Sequence, residues 1–166
     1  MKPPRVFLAR VLTAAALGAS IQGCSSTAPA PTLSVVNPQV GSTITSGQFS
    51  FTATAKGSEP NIVVIELVVK NVSTSGATLT TTGCDVDMRL YASSGTRSFS
   101  LRDESLPCTP GIIRYGIDPG FSATLTYYLP AQLARSRLEP GTYTVKVTVP
   151  SVVPELEVSA GTVIAQ

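Results

Sequence analysis

One stretch decides the fold that this sequence predicts: Ile62-Val63-Val64-Ile65-Glu66-Leu67-Val68-Val69-Lys70-Asn71. Six of its ten residues are Val or Ile. Because β-branched side chains lose rotamer freedom in a helix, they favour an extended strand. One face carries the alternating apolar residues from Val63 to Val69, whereas Glu66 and Lys70 mark the other face. The pattern predicts a central strand of a β-sandwich, buried on one face and partly covered on the other.

Shorter alternating runs recur on both sides of this stretch, separated by clusters of turn residues. Such runs predict strands over residues 32–37, 48–56, 77–82, 84–91, 96–101, 112–117, 121–129, 142–149 and 156–164. Residues 41–47 are predicted as a turn region, 102–111 as a longer loop, and 131–138 as one or two helical turns. About eight to ten short strands predict an all-β chain with an immunoglobulin-like antiparallel β-sandwich, and a barrel is the alternative.

The first 24 residues have the three parts of a secretory signal. Lys2, Arg5 and Arg10 form a basic head, residues 11–21 form an apolar run, and Gly23 precedes Cys24. The apolar run is well short of the roughly 20 residues that a membrane-spanning helix needs. The segment is therefore predicted to be a cleaved leader.

The end of the leader, Ile21-Gln22-Gly23-Cys24, resembles a bacterial lipobox. The resemblance implies cleavage before Cys24, a diacylglyceryl thioether on its sulfur and usually an N-acyl chain such as palmitate. The alternative is a plain signal peptide with an incidental cysteine. The following residues are small, polar or Pro-rich, so we expect a flexible tether. The predicted organisation is a signal peptide over 1–23, a tether over 24–31 and one β-sandwich domain over 32–166.

Composition argues against several classes of function. Loss of the leader would leave 9 basic and 10 acidic residues, so no basic surface suggests nucleic acid as a partner. The sequence contains no His, the usual general base and the commonest metal ligand. It also lacks the G-x-S-x-G elbow of serine hydrolases. We therefore expect no enzymatic activity, no catalytic residue and no cofactor.

Two cysteines remain downstream of Cys24, namely Cys84 and Cys108. An even pair in an exported chain predicts a disulfide, and the chain-entropy term for a loop of about 25 residues is roughly 3.5 kcal/mol. The alternatives are two free thiols or a nucleophilic cysteine. The absence of His disfavours the nucleophile, because no imidazole is present to activate a thiolate.

Four patches between residues 62 and 149 resemble the BsuPI-like domain, a family named for an intracellular proteinase inhibitor. They are Leu67-Val68-Val69-Lys70-Asn71-Val72-Ser73, Thr82-Gly83-Cys84-Asp85-Val86-Asp87, Ile117-Asp118-Pro119-Gly120-Phe121-Ser122 and Leu138-Glu139-Pro140-Gly141-Thr142-Tyr143-Thr144-Val145. The resemblance implies an immunoglobulin-like fold. No residue here matches an inhibitory one, so the resemblance does not imply inhibition.

Two sets of side chains are candidate sites. Five carboxylates suggest calcium, but they lack the spacing of a calcium loop, and we expect no metal site: Asp85, Asp87, Asp103, Glu104 and Asp118. Five tyrosines are candidates for a glycan or partner face, although cross-strand packing is the simpler interpretation: Tyr91, Tyr115, Tyr127, Tyr128 and Tyr143.

The sequence therefore predicts a non-catalytic lipoprotein of the cell envelope. A lipid on Cys24 would hold it outside the cytoplasmic membrane, in the outer membrane if the cell has one. Its domain would bind a protein or an envelope polymer, through loops or an exposed strand edge. The alternative is a proteinase inhibitor that presents the disulfide-tied loop over 102–111, since a rigid loop loses little entropy on binding.

Overall fold

A computed structural model describes residues 32–35, 39–59, 62–82, 84–104, 111–130, 138–149 and 155–166. The signal peptide, the tether and Cys24 lie outside the described residues. The described residues form eleven strands, in chain order β1 Leu33–Val35, β2 Gln39–Ser46, β3 Phe49–Glu59, β4 Ile62–Asn71, β5 Ala77–Thr82, β6 Met88–Ala92, β7 Arg97–Ser100, β8 Ile112–Ile117, β9 Ser122–Pro130, β10 Gly141–Val149 and β11 Leu156–Ala165. A short 3-10 helix, Leu101–Glu104, follows β7.

The strands form two main sheets and a ribbon. One sheet has the order β1-β11-β10-β6-β7, the other β2-β3-β4-β9, and β5 pairs with β8 as a separate two-stranded ribbon. The pairings within them are antiparallel. The two sheets pack their apolar faces together, which confirms the predicted all-β, immunoglobulin-like sandwich.

Strand β4 lies inside its sheet, as its composition predicts. Val63, Ile65, Leu67 and Val69 are fully buried, while the residues between them are partly exposed. Across the sandwich they belong to the same core as the alternating valines of β10 and β11. Alternation with a period of two places one side of each strand in this core, so the pattern alone was enough to identify it.

Strand β10 begins with a tyrosine corner, a feature of antiparallel sandwiches. The hydroxyl of the buried Tyr143 donates a hydrogen bond to the carbonyl oxygen of Glu139, at 2.8 Å. This bond fixes the path by which the chain enters β10. The Pro-Gly-x-Tyr patch of the sequence therefore has a structural role in this protein.

The predicted turn over residues 41–47 is wrong, because β2 occupies most of that segment. Its glycine serves close packing: a Cβ atom on Gly41 would lie 1.5 Å from the carbonyl oxygen of Ser159 on β11. A bulge between Val40 and Thr43 accompanies this approach. The chain reverses only at Gly47, which has a φ of 58°.

Other predicted segments agree in part. The turns at Gly95 and Gly120 are confirmed, with φ angles of 82° and 79°. The 3-10 helix occupies the start of the predicted loop over 102–111, and residues 105–110 lie outside the described residues. The predicted helical turns over 131–138 fall outside them as well, apart from Leu138, which is buried and not helical.

Candidate functional site

Two of the antiparallel ladders are arms of one bent ladder. Strand β4 pairs with β9 from Ile62 opposite Pro130 to Lys70 opposite Ser122. Both segments of the ladder then turn, and pairing resumes between β5 and β8, with Ala77 opposite Ile117. The ribbon contributes Leu79 and Ile117 to the core of the sandwich. The bend between the arms thus sets the position of the ribbon relative to β9.

Asn71 holds this bend. Its side chain is fully buried, and its amide nitrogen donates to the carbonyl oxygens of Ser75 and Ile117, both at 2.8 Å. Its side-chain oxygen accepts from the backbone N–H and the hydroxyl of Ser73, at 2.9 Å and 2.7 Å. A buried polar group is stable only when it is paired, and here each side-chain atom has two partners. The Asn-x-Ser patch of the sequence is therefore a clamp on the bend.

A groove of about 370 Å³ opens between the two arms. Its walls come from β5, β8 and β9, and its floor from the residues around β6. The described lining residues are Thr81, Thr82, Val86, Met88, Leu101, Ile113, Tyr115, Thr124, Leu125, Thr126, Tyr127 and Tyr128. This volume lies within the range of ligand pockets, about 300 to 1,000 Å³.

The groove runs along the edge of β9 and not over one of its faces. Five consecutive residues, Thr124 to Tyr128, line it. Side chains alternate between the two faces of a strand, so consecutive residues can share a groove only where it follows the strand's edge. Within the described ranges β9 pairs with β4 alone, which leaves the groove-side edge without a neighbouring strand.

The described lining of the groove carries no charged side chain. Hydroxyl groups of threonine and tyrosine supply its polar atoms, and Met88 and Leu125 supply a buried apolar floor. Burial raises the pKa of the Tyr127 hydroxyl above its ordinary value of 10.0, and the nearby Tyr115 adds to the shift. The Tyr127 phenol therefore remains neutral at physiological pH and offers a neutral hydrogen-bonding group.

Exposed apolar side chains are concentrated on the elements that line this groove, and two of them, Ile113 and Tyr128, line the groove itself. Four of the seven large apolar residues that are exposed in the described chain lie on β8, on β9 or in the turn between them. They are Ile112 at 64% exposure, Ile113 at 45%, Phe121 at 70% and Tyr128 at 62%. Clusters of this kind mark binding surfaces more often than single exposed apolar residues do.

A charged network lies instead on the sheet that contains β6, β10 and β11. The Arg89 guanidinium contacts Asp87 and Glu157 at 2.6 Å and Glu155 at 2.8 Å. Burial by itself would lower the pKa of Arg89, but these three hydrogen bonds raise it. Lys146 contacts Glu157 at 3.3 Å. The network pairs each of these charged groups with at least one of opposite sign and joins strands, so a structural role accounts for it.

The carboxylates considered for calcium do not converge. Asp87 is buried, accepts hydrogen bonds from the Ser100 hydroxyl and the Arg102 backbone N–H, and pairs with Arg89. Asp103 lies 3.6 Å from Arg97. In the part of the chain that the structure describes, no three acidic, Cys or His side chains come together in a way that could hold a metal ion.

The cysteine predictions lie mostly beyond the described residues. Cys84 is partly buried just after β5, and its backbone N–H donates to the Thr82 hydroxyl at 3.2 Å. Cys108 and most of the loop proposed as inhibitory lie outside the described residues. The disulfide and the inhibitor hypothesis therefore stay predictions.

Sequence reasoning did not predict the groove. The structure brings together three of the five tyrosines singled out, Tyr115, Tyr127 and Tyr128, whereas Tyr91 belongs to the charged network and Tyr143 to the core. One signal is present in the sequence: residues 119–130 carry no charge and include Phe121, Tyr127 and Tyr128.

Comparisons with known proteins give the chain no family. No protein-family model and no curated protein matches it. The solved structures that it resembles include a β-glucosidase from Listeria innocua in complex with glucose, at 18% identity and a TM-score of 0.33, and the same enzyme with gluconolactone, at 18% and 0.32. A β-D-glucoside glucohydrolase from Trichoderma reesei has 18% identity and a TM-score of 0.31.

These matches cover 68% to 78% of this chain but only 16% to 18% of the enzymes. Likeness at this level supports no conclusion about function. Separately, the described residues include no helix that is long and apolar enough to cross a membrane.

Proposed function

We propose that this chain is a non-catalytic lipoprotein of the cell envelope whose β-sandwich binds a partner protein. A lipid on Cys24 would anchor it outside the cytoplasmic membrane, in the outer membrane where the cell has one. The lipobox-like sequence supports the anchor, and the predicted tether would give the domain reach from the membrane surface.

One observation carries the binding role: two exposed apolar residues, Ile113 and Tyr128, line an uncharged groove at the free edge of β9. The groove is large enough for side chains of a ligand, and its rim offers Ile113 and Tyr128 as contact surface. Nucleophile–base pairs and metal clusters would argue for an enzyme, but the sequence has no His, and several of the described carboxylates form ion pairs. The described residues contain no group of acidic, Cys or His side chains that could hold a metal ion. The geometry therefore favours binding over catalysis.

Site-specific photo-crosslinking in living cells tests the proposal. The full-length protein carries p-benzoylphenylalanine in place of Tyr128, which is exposed beside the groove. A matched control carries it in place of Ser94, which is exposed in the turn between β6 and β7 on the other sheet. We expect a protease-sensitive adduct from position 128 and none from position 94.

The other outcomes decide against the proposal. An adduct that resists protease but yields to glycan hydrolases would indicate an envelope polymer as the partner. Equal labelling from both positions would show that neighbouring proteins contact the domain without preference for the groove. The absence of an adduct from position 128 would show that the groove is not a binding site.

A further inference from the structure

We infer that the groove takes an extended, uncharged segment of the partner protein, which adds to the sheet as a strand beside β9. The inference rests on the proposed function, because it names the chemistry of that partner. Three features of the molecule support it: the directions of the backbone hydrogen-bonding groups of β9, the unprotected edge of that strand and the uncharged lining of the groove.

The register of the bent ladder shows which backbone groups of β9 face the groove. The Asn71 backbone N–H donates to the carbonyl oxygen of Phe121 at 3.0 Å. The backbone carbonyl oxygen of Asn71 accepts from the N–H of Gly120 at 2.9 Å. Hydrogen-bonded and non-hydrogen-bonded pairs then alternate along an antiparallel ladder, and this ladder has no register shift from Ser122 to Pro130. Leu125 and Tyr127 therefore bond to β4.

The residues that alternate with Leu125 and Tyr127 direct their backbone groups to the opposite side of the strand. By the same alternation, Thr124, Thr126 and Tyr128 direct their backbone N–H and C=O groups away from β4 and towards the groove. These three residues all line the groove. An extended peptide lying in the groove would find a row of donors and acceptors at the spacing of a strand, which is the requirement for strand addition.

Among the described residues, the edge of β9 from Ser122 to Leu129 also lacks the usual protection against pairing. Natural edge strands carry charges, proline or bulges, or are covered by another element. From Ser122 to Leu129 strand β9 has no charged residue, no proline and no bulge. By contrast β2, at the opposite edge of the same sheet, has a bulge and packs at Gly41 against Ser159. Within the described part of the chain, this protection is thus absent from β9 between Ser122 and Leu129, and the strand ends at Pro130.

The electrostatics of the groove select the side chains of the added segment. A charge brought into this lining would lose hydration and meet no counter-ion among the described lining residues, which is costly. Met88 and Leu125 at the floor offer an apolar contact. Because side chains of a strand alternate, the segment should carry apolar residues at every second position and neutral ones between them.

Selection from a displayed library of random nine-residue peptides tests the inference. The bait is the mature full-length protein, purified in detergent. Thr126→Pro removes an N–H that faces the groove and leaves the bonds to β4 intact, because proline is tolerated where the N–H of an edge strand faces outward. Thr126→Val, the matched control, changes the side chain and keeps that N–H.

We expect enriched peptides that are uncharged and free of proline over their central residues. Their affinity should fall about tenfold or more on Thr126→Pro, which corresponds to the loss of about 1.4 kcal/mol, and should stay within about twofold on Thr126→Val. No enrichment, or equal binding to Thr126→Pro, would overturn the inference, as would tight binding of neutral oligosaccharides in place of peptides.

Amide hydrogen exchange provides a second readout if Thr126→Pro fails to fold. In the free protein the amides of Thr124, Thr126 and Tyr128 should exchange faster than those of Leu125 and Tyr127, and an enriched peptide should slow the fast set. Unchanged exchange of that set on peptide binding would contradict strand addition. A protein adduct from position 128 together with that result would leave the proposed function standing and remove only this inference.

Discussion

At the scale of single residues, Asn71 shows how one buried amide can shape a binding surface. Its side chain donates hydrogen bonds to Ser75, near in sequence, and to Ile117, 46 residues away. It therefore joins the two segments that meet at the bend of the ladder. Neither aspartate nor leucine could replace it, because the site needs two donors and one acceptor that receives two hydrogen bonds.

Replacement of this residue tests the role. Asn71→Ala removes the side-chain donor to the Ile117 carbonyl oxygen and one of two side-chain donors to the Ser75 carbonyl oxygen. We expect a loss of about 3 kcal/mol in the free energy of unfolding. Ser73→Ala, the control, removes only a hydroxyl and should cost about 1 kcal/mol. Urea unfolding measures both variants. Equal costs would show that the bonds of Asn71 across the bend contribute nothing.

Gly41 is a second residue whose role is purely steric. A methyl group there would meet the backbone of Ser159, which cannot move without distorting β11. We expect Gly41→Ala to cost about 3 kcal/mol or more in unfolding free energy. Gly116→Ala is the matched control: it lies on β8, has open space around it, and should change stability by about 0.5 kcal/mol at most. Similar thermal midpoints for the two variants would contradict the close packing of β2 on β11.

At the scale of elements, the charged network links β6 to β11 across β10. Glu157 receives hydrogen bonds from Tyr91, Arg89 and Lys146. Burial opposes ionisation of this carboxyl, but these hydrogen bonds outweigh it and lower its pKa below the ordinary value of 4.5. A carboxyl with a lowered folded-state pKa binds fewer protons in the folded than in the unfolded state, so it stabilises the fold above that ordinary value.

The contribution of Glu157 should therefore disappear in acid. Glu157→Gln should be less stable than the native chain near pH 7, and the difference should shrink as the pH falls below about 4.5 towards about 3. Urea unfolding at both pH values measures it, with the exposed Glu139→Gln as the control. A difference that stays constant with pH would show that hydrogen-bond geometry, and not charge, accounts for the effect of Glu157.

Strand positions were largely predictable from the sequence, because alternation depends only on which face of each strand is buried. Val63 to Val69 on β4 and Tyr143 to Val149 on β10 were identified in this way. The sequence does not predict β2, because a glycine such as Gly41 is equally typical of a turn and of a close contact between strands. The free edge of β9 could not be predicted, since strand partners depend on contacts between distant residues.

At the scale of the whole molecule, the sandwich follows from composition, but the groove follows from the bend. Strands β8 and β9 follow one another in the chain, but β9 pairs with β4 and β8 pairs with β5. The clamp at Asn71 turns the β5–β8 ribbon towards the sandwich, so that Ile113 and Tyr115 face β9 across a groove. The position of the ribbon relative to β9 is thus tied to a hydrogen bond between residues 46 positions apart in the sequence, which the alternation along a strand does not predict.

The anchor is the remaining prediction at this scale, and it concerns where the whole domain acts. A diacylglyceryl group with an N-acyl chain would hold the protein stably, because each buried methylene contributes about 0.8 kcal/mol and one chain alone binds weakly. We expect the native chain to stay with membranes after a carbonate wash and its intact mass to show acyl chains on Cys24. Cys24→Ala should appear in the soluble fraction without that added mass, whereas Ser25→Ala, the adjacent control, should behave like the native chain. Membrane retention of Cys24→Ala equal to the native level would refute the lipid anchor, and the partner of the groove would then have to be sought without the membrane as a guide.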